Sequence, residues 1–385
     1  MSTVNRSQQQ KPLSYGVAAT VFSQTDPNVR IRWSLQSSGL EKLEKLVPLK
    51  CDTIQFDVTQ GTTKIDSVPY EVGIMMKYAI EENMPRSVRK WNEKGGLTCD
   101  IDKEGRRVWE TEKVLAPGDI VLDDWADTAV RDKPLEGFEP YIQLRINDEV
   151  VERLAYNKTL IEAQRYLNTR IFGNRAYPIE VRRLTFGEKF IRLPEGVKFR
   201  VKELDLGFNS MKYFENLVPI LTPDSFPLDY LKVYHIAEDS QEHLHPVLRN
   251  AKTISVFNME HFGLLKFFKS IRNKTILNEC ALSLDEHIAL IEDWRTNIRE
   301  MGSSITFERL EEEEVEHIFE AIMQNFEYRE TEDGDTFISL NQDTDLKITA
   351  GDDESEAAME MIEAGVTADY SFLKMEVVPT RNGMQ

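Results

Sequence analysis

All six histidines of the chain fall between His235 and His317, and two of them, His243 and His245, are separated by a single residue. Imidazole nitrogens are common zinc ligands, so metal chemistry is considered first. Histidines at positions i and i+2 share a face only in an extended strand, whereas the sequence from Gln241 to Asn250 indicates a loop or a helix. A structural zinc site also needs four ligands, and the spacing indicates no third one. We therefore expect surface histidines here and no metal site.

A second group of titratable residues, Asp285-Glu286-His287, could serve acid–base chemistry. The first two would occupy the opening turn of a helix, where negative charge is stabilised by the positive end of the helix dipole. The four consecutive glutamates from Glu311 to Glu314 precede an apolar helical pattern in the same way. Both acidic groups are therefore interpreted as solvated helix starts.

No sequence motif of a common catalytic family is present, whether a GxSxG elbow, HExxH, a Walker loop, a kinase signature or GxGxxG after a strand. Three tryptophans, Trp91, Trp109 and Trp125, fall in predicted loops, where they either anchor a partner or pack the loop down. We therefore expect a protein that is not an enzyme, has no catalytic residue, and binds no cofactor or metal.

The negative charge of the chain is concentrated at one end. The net charge is −19, of which residues 311–385 carry −17 and the first 310 residues carry −2. A nearly neutral body without a basic stripe does not attract phosphates, so nucleic acid and an anionic membrane surface are disfavoured as partners. The acidic end is interpreted as a solvated surface, with attraction of a basic partner as the alternative.

The cysteines Cys51, Cys99 and Cys280 are odd in number and far apart, so they predict neither a disulfide framework nor a zinc site. The N-terminus is polar and rich in glutamine, and the longest apolar runs have about five residues, far fewer than a membrane span needs. We therefore expect an intracellular protein, cytoplasmic or nuclear, without a signal peptide or a membrane span.

The hydrophobic pattern predicts an α+β or α/β fold in five parts. They are a disordered N-terminus (1–11), a short segment of three helices (12–50), a region of β-hairpins and long loops (51–156), a repeat-like βα domain (157–326) and an acidic region of strands and a helix (327–385).

In the helical segment, Asp26 is the expected N-cap of the second helix, with Pro27 at its first position. Ser38 and Glu41 are expected to form a capping box at the start of the third helix. In the next region, the turn signals Gln60-Gly61 and Asn147-Asp148 each predict a hairpin. The density of charge, glycine and proline between residues 81 and 140 predicts long exposed loops, interrupted by a short apolar strand at 120–122.

The repeat-like domain is predicted from strands that align on five apolar residues, Leu204, Leu231, Ile254, Ile276 and Ile305. Their spacings are 27, 23, 22 and 29 residues, which overlap the 20 to 29 residues of leucine-rich repeats. The asparagine ladder of that repeat is missing, so we predict leucine-rich-repeat-like strand–helix units. Two related segments, 181–187 and 201–207, fit either such units or an antiparallel edge.

Three amphipathic helices are predicted in and after these units. The first buries Met211, Phe214, Leu217, Val218 and Leu221. The second starts with a Ser283–Glu286 capping box, turns Leu284, Ile288, Ile291, Ile298 and Met301 inward, and ends at Gly302. The third buries Val315, Ile318, Phe319, Ile322 and Phe326. Strands are then expected at 336–340, 346–349 and 372–378, around a short helix at 354–363.

Several stretches are distinctive enough to indicate a family. They include PLSY (12–15), LEKLEKLVPLK (40–50), NEKGGLTCDIDKEG (92–105), LAPGDI (115–120), YIQLRI (141–146), RYLNTRIFGNRAYPIEVRRL (165–184), RLPEGVKFRVKELDL (192–206), HPVLRNAKTISV (245–256) and EDWRTNIREMGSSITF (292–307). Over nearly its whole length the chain resembles the nematode (Caenorhabditis-type) family of F-box proteins with a C-terminal F-box-associated domain of unknown function.

The resemblance implies a substrate-recruiting adaptor of a cullin-RING ubiquitin ligase. In such proteins the three N-terminal helices dock on the linker subunit of the ligase, and the C-terminal domain holds an unidentified substrate protein. The residues expected to contact the linker subunit here are Leu13, Val17, Val21, Phe22, Pro27 and Ile31. The segment departs from the family pattern at Pro12-Leu13, where Leu-Pro is usual, and at Gly16 in the first helix. A stand-alone protein-binding module without a ligase partner therefore remains the alternative.

Overall fold

The computed structural model of the protein describes residues 15–56, 62–108, 115–122, 134–187, 190–207, 211–234, 244–257, 263–280, 282–331, 335–352 and 371–380. The fold is mixed α+β, with helices at the N-terminal end. The described residues divide into two compact units. Unit 1 holds those within Met1–Ile120, Ala126–Val181 and Ile191–Arg200, and unit 2 holds those within Val121–Trp125, Arg182–Phe190 and Val201–Gln385.

The helices, in chain order, are α1 (Tyr15–Gln24), α2 (Pro27–Gln36), α3 (Ser38–Lys45), α4 (Arg86–Glu93), α5 (Leu160–Phe172), α6 (Pro246–Asn250), α7 (Leu264–Ser270), α8 (Leu284–Thr296) and α9 (Glu312–Asn325). Short 3-10 segments cover Glu81–Asn83, Met211–Asn216, Val218–Ile220 and Pro223–Ser225.

The strands are β1 (Lys50–Phe56), β2 (Thr62–Ile65), β3 (Val68–Tyr78), β4 (Asp100–Ile101), β5 (Arg107–Val108), β6 (Asp119–Val121), β7 (Phe138–Ile146), β8 (Glu149–Ala155), β9 (Ile179–Phe186), β10 (Phe190–Arg192), β11 (Phe199–Asp205), β12 (Tyr230–Val233), β13 (Thr253–Val256), β14 (Thr275–Asn278), β15 (Ser304–Leu310), β16 (Tyr328–Glu330), β17 (Thr336–Ser339), β18 (Thr344–Asp352) and β19 (Ser371–Pro379).

Helices α2 and α3 differ in the capping interactions at their N-termini. The Asp26 carboxylate accepts hydrogen bonds from the backbone N–H groups of Asn28 (2.9 Å) and Val29 (3.1 Å), so the predicted cap of α2 is confirmed. The predicted capping box of α3 is wrong. Ser37 is the N-cap, in extended conformation and without a side-chain capping bond, and Ser38 is already helical. Glu41 therefore lies one residue beyond the position from which a glutamate returns to the cap.

Unit 1 is built on an antiparallel sheet with the strand order β1-β2-β3-β7-β8. Apolar residues of β3 and β7 face each other across the strands, as in the pair Ile74 and Ile142, both of which are fully buried. Helix α5 packs against these two strands. It begins with a complete capping box, in which Thr159 and Glu162 satisfy each other's backbone N–H groups.

The stretch between residues 81 and 140 is more ordered than its composition predicts. It contains α4, whose Val88 is fully buried, and a backbone bridge in which Leu97 pairs with Ile74. The expectation of long exposed loops is therefore wrong for these residues. In this eight-residue helix only Val88 is buried and most of the other side chains are polar or charged, so the sequence pattern resembles that of a loop.

In unit 2, strands β11 to β15 form a parallel array. The five residues that align the strands in the sequence are direct lateral neighbours in it, Leu204 beside Leu231, then Ile254, Ile276 and Ile305. All five are fully buried. The predicted strand alignment is confirmed, and we call this row of side chains the apolar ladder.

Helices α6, α7 and α8 connect successive parallel strands. The rings of Phe268 in α7 and His287 in α8 both contact Phe307, with centroids 6.4 Å and 4.7 Å apart. Phe307 lies two residues beyond Ile305 in β15, so it shares the face of the ladder. Helices α7 and α8 therefore pack on the side of the sheet that carries the apolar ladder, which we call the ladder side. The alternate strand residues point to the opposite side of the sheet, which we call the outward face.

Two predicted helices differ from the structure. The stretch around Met211 to Leu221 forms 3-10 segments, not one α-helix, because Pro219 cannot donate the backbone hydrogen bond that a helix interior needs. Helix α8 has the predicted capping box but ends at Thr296. Its buried face comprises His287, Leu290, Ile291 and Trp294, whereas Leu284, Ile298 and Met301 are exposed.

The end of the chain continues the sheet of unit 2 with antiparallel strands in the order β15-β19-β18-β17-β16. The three predicted strands correspond to β17, β18 and β19. In α9, Val315, Ile318 and Ile322 are buried as predicted. The predicted N-terminal disorder, the Gln60-Gly61 turn and the helix at 354–363 lie outside the described residues.

Candidate functional site

Helices α1 and α2 expose apolar side chains at helical spacing. Val17 and Val21, four residues apart on α1, are 49% and 45% exposed, and Val29 and Trp33, four residues apart on α2, are 39% and 37% exposed. Residues four apart lie on one side of a helix. We call these two stripes the α1–α2 apolar faces; Tyr15, at the start of α1, is 62% exposed.

The residues expected to bind the linker subunit have different environments. Val17 and Val21 are exposed, and Pro27 is half-buried in the first turn of α2. Phe22 and Ile31 are buried within the chain, so they support the helices and do not present a contact surface. Leu13 lies outside the described residues.

Two exposed residues, Val29 and Trp33, were missed by sequence reasoning. Their spacing of four residues indicates a second apolar face of α2, on a different side of the helix from Ile31. The Trp33 ring lies edge-on to Phe22, with centroids 5.9 Å apart. This contact links α1 to α2 and fixes the position of the indole.

A buried ion cluster fixes the helical segment to α5. Glu44 is fully buried and pairs with the guanidinium groups of Arg30 (3.2 Å) and Arg175 (3.0 Å). Lys45 Nζ donates to the backbone carbonyls of Arg170 and Ile171, the latter at 2.7 Å. Burial lowers the pKa of Lys45 to about 7, and the nearby Arg175 acts in the same direction.

Further hydrogen bonds hold α2 and α3 in place. Arg30 also donates to the carbonyl of Pro48 (2.9 Å), and Arg170 donates to the carbonyl of Leu35 (3.0 Å). The Tyr70 hydroxyl donates to the Asn28 side chain (2.8 Å). The inner side of the helical segment is therefore held by specific polar contacts, while the α1–α2 apolar faces are left exposed.

The outward face of the parallel sheet in unit 2 is polar and aromatic. At its centre Glu279, whose side chain is 5% exposed, pairs with Lys232 (2.8 Å) and Arg309 (3.1 Å). Burial alone would lower the pKa of Lys232, but the hydrogen bond and charge of Glu279 outweigh it and raise that pKa. Both cations lie over aromatic rings, Lys232 over Tyr234 and Arg309 over Phe257, each 5.0 Å from the centroid.

A second charged group lies on the same face near β11. Glu203 pairs with Arg182 (2.7 Å) and Arg183 (2.9 Å), and Arg183 lies over the ring of Tyr230. Asp205, two residues along β11, accepts a hydrogen bond from the backbone N–H of Gly207 (2.8 Å), and burial raises the pKa of Asp205. The sequence spacing predicts that most of these side chains share the outward face, because they lie one or three positions from a ladder residue and so point to the opposite side of the sheet.

The histidines and acidic groups considered for chemistry have structural roles where the structure describes them. His245 caps α6 through Nδ1, and its Nε2 bonds to Glu215 (2.9 Å). His243 lies outside the described residues. Asp285 and Glu286 occupy the first turn of α8, as predicted. Within the described residues, no three His, Cys, Asp or Glu side chains are grouped as metal ligands would be.

The three cysteines are buried, and the predicted loop tryptophan Trp91 is half-buried beneath the Arg107 guanidinium, 5.5 Å from its centroid. Trp109 and Trp125 lie outside the described residues. None of the helices that the structure describes is long and apolar enough to cross a membrane.

Comparison with known proteins identifies one domain in the chain. A family model described as "Domain of unknown function (DUF3557)" matches residues 159–311. No curated protein and no solved structure matches the chain. Residues 159 and 311 are Thr159, the N-cap of α5, and Glu311, the N-cap of α9. The chain therefore contains a DUF3557 domain that runs from the start of α5 to the end of β15 and includes the parallel strands with their connecting helices.

Proposed function

We propose that the protein is a non-enzymatic, substrate-recruiting adaptor of F-box type in a cullin-RING ubiquitin ligase, acting in the cytoplasm or nucleus. The observation that carries the proposal is the pair of α1–α2 apolar faces. Single exposed apolar residues are ordinary on protein surfaces, but two helical stripes within twenty residues concentrate apolar area in a way that is typical of partner contacts.

The anchoring of the segment supports this proposal. An adaptor must hold its docking helices in a fixed geometry relative to the fold that carries them. The buried pairs of Glu44 with Arg30 and Arg175 do so on the inner side of α2 and α3. Arg175 follows α5 directly, so the docking helices are tied to the start of the DUF3557 domain.

The strand–helix units of unit 2 supply the proposed substrate-binding platform. They resemble leucine-rich repeats in their spacing of 22 to 29 residues, in the parallel pairing of strands and in the packing of α7 and α8 on the ladder side. In such arrays the face opposite the helices is a common binding surface. We assign the unidentified substrate protein to the outward face.

The test is capture of the ligase linker subunit by the purified full-length chain at micromolar concentration. Val21→Asp places a charge in the α1 apolar face and is expected to abolish capture, because a buried unpaired charge costs several kcal/mol. Val218→Asp is the matched control, since Val218 is 42% exposed in unit 2. The control should capture the linker as the wild type does, and both variants should keep the wild-type thermal midpoint.

A stand-alone protein-binding module of the same fold is the second candidate. It is favoured by the burial of Phe22 and Ile31, which leaves fewer large apolar side chains to a linker subunit. If the wild-type chain does not capture the linker, the adaptor proposal fails and the stand-alone module is retained. If Val218→Asp loses capture as Val21→Asp does, the assignment of docking to α1 fails.

A further inference from the structure

The centre of the outward face has an uncommon combination of groups. One carboxylate, Glu279, is shared by two cations, Lys232 and Arg309, and is almost completely buried between them. The Ser255 hydroxyl also lies 3.4 Å from the Glu279 carboxylate. The cations keep part of their surface accessible, each with 17% of the side chain exposed. A ligand that approaches from solvent therefore contacts the two cations before it contacts the carboxylate.

Two aromatic rings fix the cations. Lys232 lies against Tyr234 and Arg309 against Phe257, while the two rings contact each other edge-to-face with centroids 5.4 Å apart. Cations held against aromatic faces lose less conformational freedom on binding than free surface side chains do. The result is an ordered platform with an aromatic centre and a cation at each side.

The charge of this face contrasts with that of the chain. In each ion pair of this face the cation is more exposed than the carboxylate: the side chains of Lys232 and Arg309 are 17% exposed against 5% for Glu279, and those of Arg182 (41%) and Arg183 (29%) are more exposed than that of Glu203 (19%). The chain as a whole carries −19. A partner selected by charge at this place is therefore anionic.

We propose that the outward face binds an acidic segment of a protein partner, with carboxylates set against Lys232 and Arg309 and apolar side chains against Tyr234 and Phe257. This deepens the proposed function, on which it rests, by giving the chemistry of the recruited substrate. Arginine and aromatic residues are the side chains most enriched at binding hot spots, and arginine pairs with carboxylates in bidentate geometry.

The probe is a fluorescein-labelled dodecapeptide that alternates glutamate with leucine, measured by fluorescence anisotropy with the full-length chain. Two analogues replace every glutamate with glutamine or with lysine. We expect the acidic peptide to bind at least about tenfold more tightly than the glutamine analogue, a difference of about 1.4 kcal/mol. Nonspecific electrostatic repulsion works against this result, because the chain and the acidic peptide are both negative.

Substitutions locate the binding. Lys232→Met keeps an unbranched side chain over Tyr234 but removes the charge. It should weaken binding of the acidic peptide about fivefold or more and leave binding of the glutamine analogue unchanged. The matched control is Lys252→Met, because Lys252 is 66% exposed and pairs with Asp229 next to β12 and β13. Arg309→Lys, which keeps the charge but loses the planar guanidinium over Phe257, is the second variant and should weaken binding of the acidic peptide less than Lys232→Met does; thermal unfolding checks the fold of each variant.

Four results would overturn the inference. They are equal binding of the acidic and glutamine peptides, tighter binding of the lysine peptide, no binding of the acidic peptide up to about 1 mM, or equal losses in Lys232→Met and Lys252→Met. The linker-capture experiment is run on the same protein. Capture of the linker subunit without binding of the acidic peptide would reject only this inference. Binding of the acidic peptide without capture of the linker subunit would reject only the ligase partnership.

Discussion

Ile291 lies in the middle of the buried face of α8 and is fully buried. Ile291→Ala removes three methyl or methylene groups and leaves a cavity, so we expect the free energy of unfolding to fall by about 2 to 5 kcal/mol. Chemical denaturation measures the change. Leu284→Ala on the same helix is the control, because Leu284 is 43% exposed and should change stability by less than about 0.5 kcal/mol. Equal losses in the two variants would contradict the assigned buried face.

His287 links the stability of unit 2 to pH. Ser283 O can only accept, so the Nδ1–H of His287 donates to it (3.0 Å) in the neutral ring. Burial lowers the pKa of His287 below its usual value. The unfolded chain therefore takes up a proton more readily than the folded one, and the free energy of unfolding should fall as the pH drops below about 6.5.

The measurement for this prediction is denaturant unfolding at pH 7.5 and 5.5. His287→Leu should lose less stability over this interval than the wild type does, whereas His317→Leu, at an exposed position of α9, should match the wild type. An unchanged pH slope in His287→Leu would contradict this prediction, because it would mean that His287 takes up its proton equally readily in the folded and the unfolded chain.

At the scale of elements, neighbouring helices begin with caps of different quality. The Asp26 carboxylate accepts two backbone hydrogen bonds at the start of α2, whereas Ser37 makes no side-chain bond at the start of α3. We expect Asp26→Ala to lower the free energy of unfolding by about 0.5 to 2 kcal/mol. Ser37→Ala, the matched control, should be nearly neutral, and a larger loss in Ser37→Ala would contradict the described caps.

One buried carboxylate, Glu44, contributes to the attachment of α3 to the chain that follows α5. Glu44→Gln leaves the guanidinium groups of Arg30 and Arg175 without their counter-charge, and we expect a loss of about 3 to 5 kcal/mol. Asp229→Asn, which breaks the exposed pair with Lys252, should cost about 0 to 1 kcal/mol. Thermal unfolding compares the stability of the two variants. If Glu44→Gln loses no more stability than Asp229→Asn, the buried ion cluster around Glu44 does not hold the N-terminal helical segment in place.

At the scale of the whole molecule, the charge distribution disfavours nucleic acid as a partner. The excess of acidic residues and the absence of a basic stripe in the sequence give no surface that would release counterions from a phosphate backbone. We expect no binding of a 30-base-pair DNA duplex at about 150 mM salt in an anisotropy titration up to tens of micromolar protein. Saturable binding in that range would contradict the prediction.

The sequence was most informative where local chemistry decides the structure. The ladder alignment from Leu204 to Ile305 and the caps at Asp26 and Ser283 rest on neighbouring residues alone, and the structure confirms them. The predicted inward face of α8 is confirmed for Ile291 and wrong for Leu284, Ile298 and Met301: Leu284 is the first residue of the helix, and the other two lie beyond its end at Thr296.

The candidate surfaces were harder to predict, because long-range contacts decide which charges are buried. Glu44 and Lys45 read as ordinary residues of a charged helix, and only contacts with residues 170–175 bury them. Lys232, Glu279 and Arg309 come together through the sheet. The strand alignment places Lys232 one position and Glu279 three positions beyond a ladder residue, whereas Arg309 lies at an irregularity of β15 that the alignment does not predict.

The apolar ladder has a consequence for how unit 2 can change in size. Each ladder residue pairs laterally only with the one on either side, so the energy of the array is a sum of terms within a unit and between nearest neighbours. A duplicated strand–helix unit between β13 and β14 would repeat an existing interface and leave the others intact. The area of the outward face can therefore grow or shrink by one strand at a time, but an insertion at this place would separate Lys232 of β12 from Glu279 after β14 and so remove the ion pair at the centre of the face.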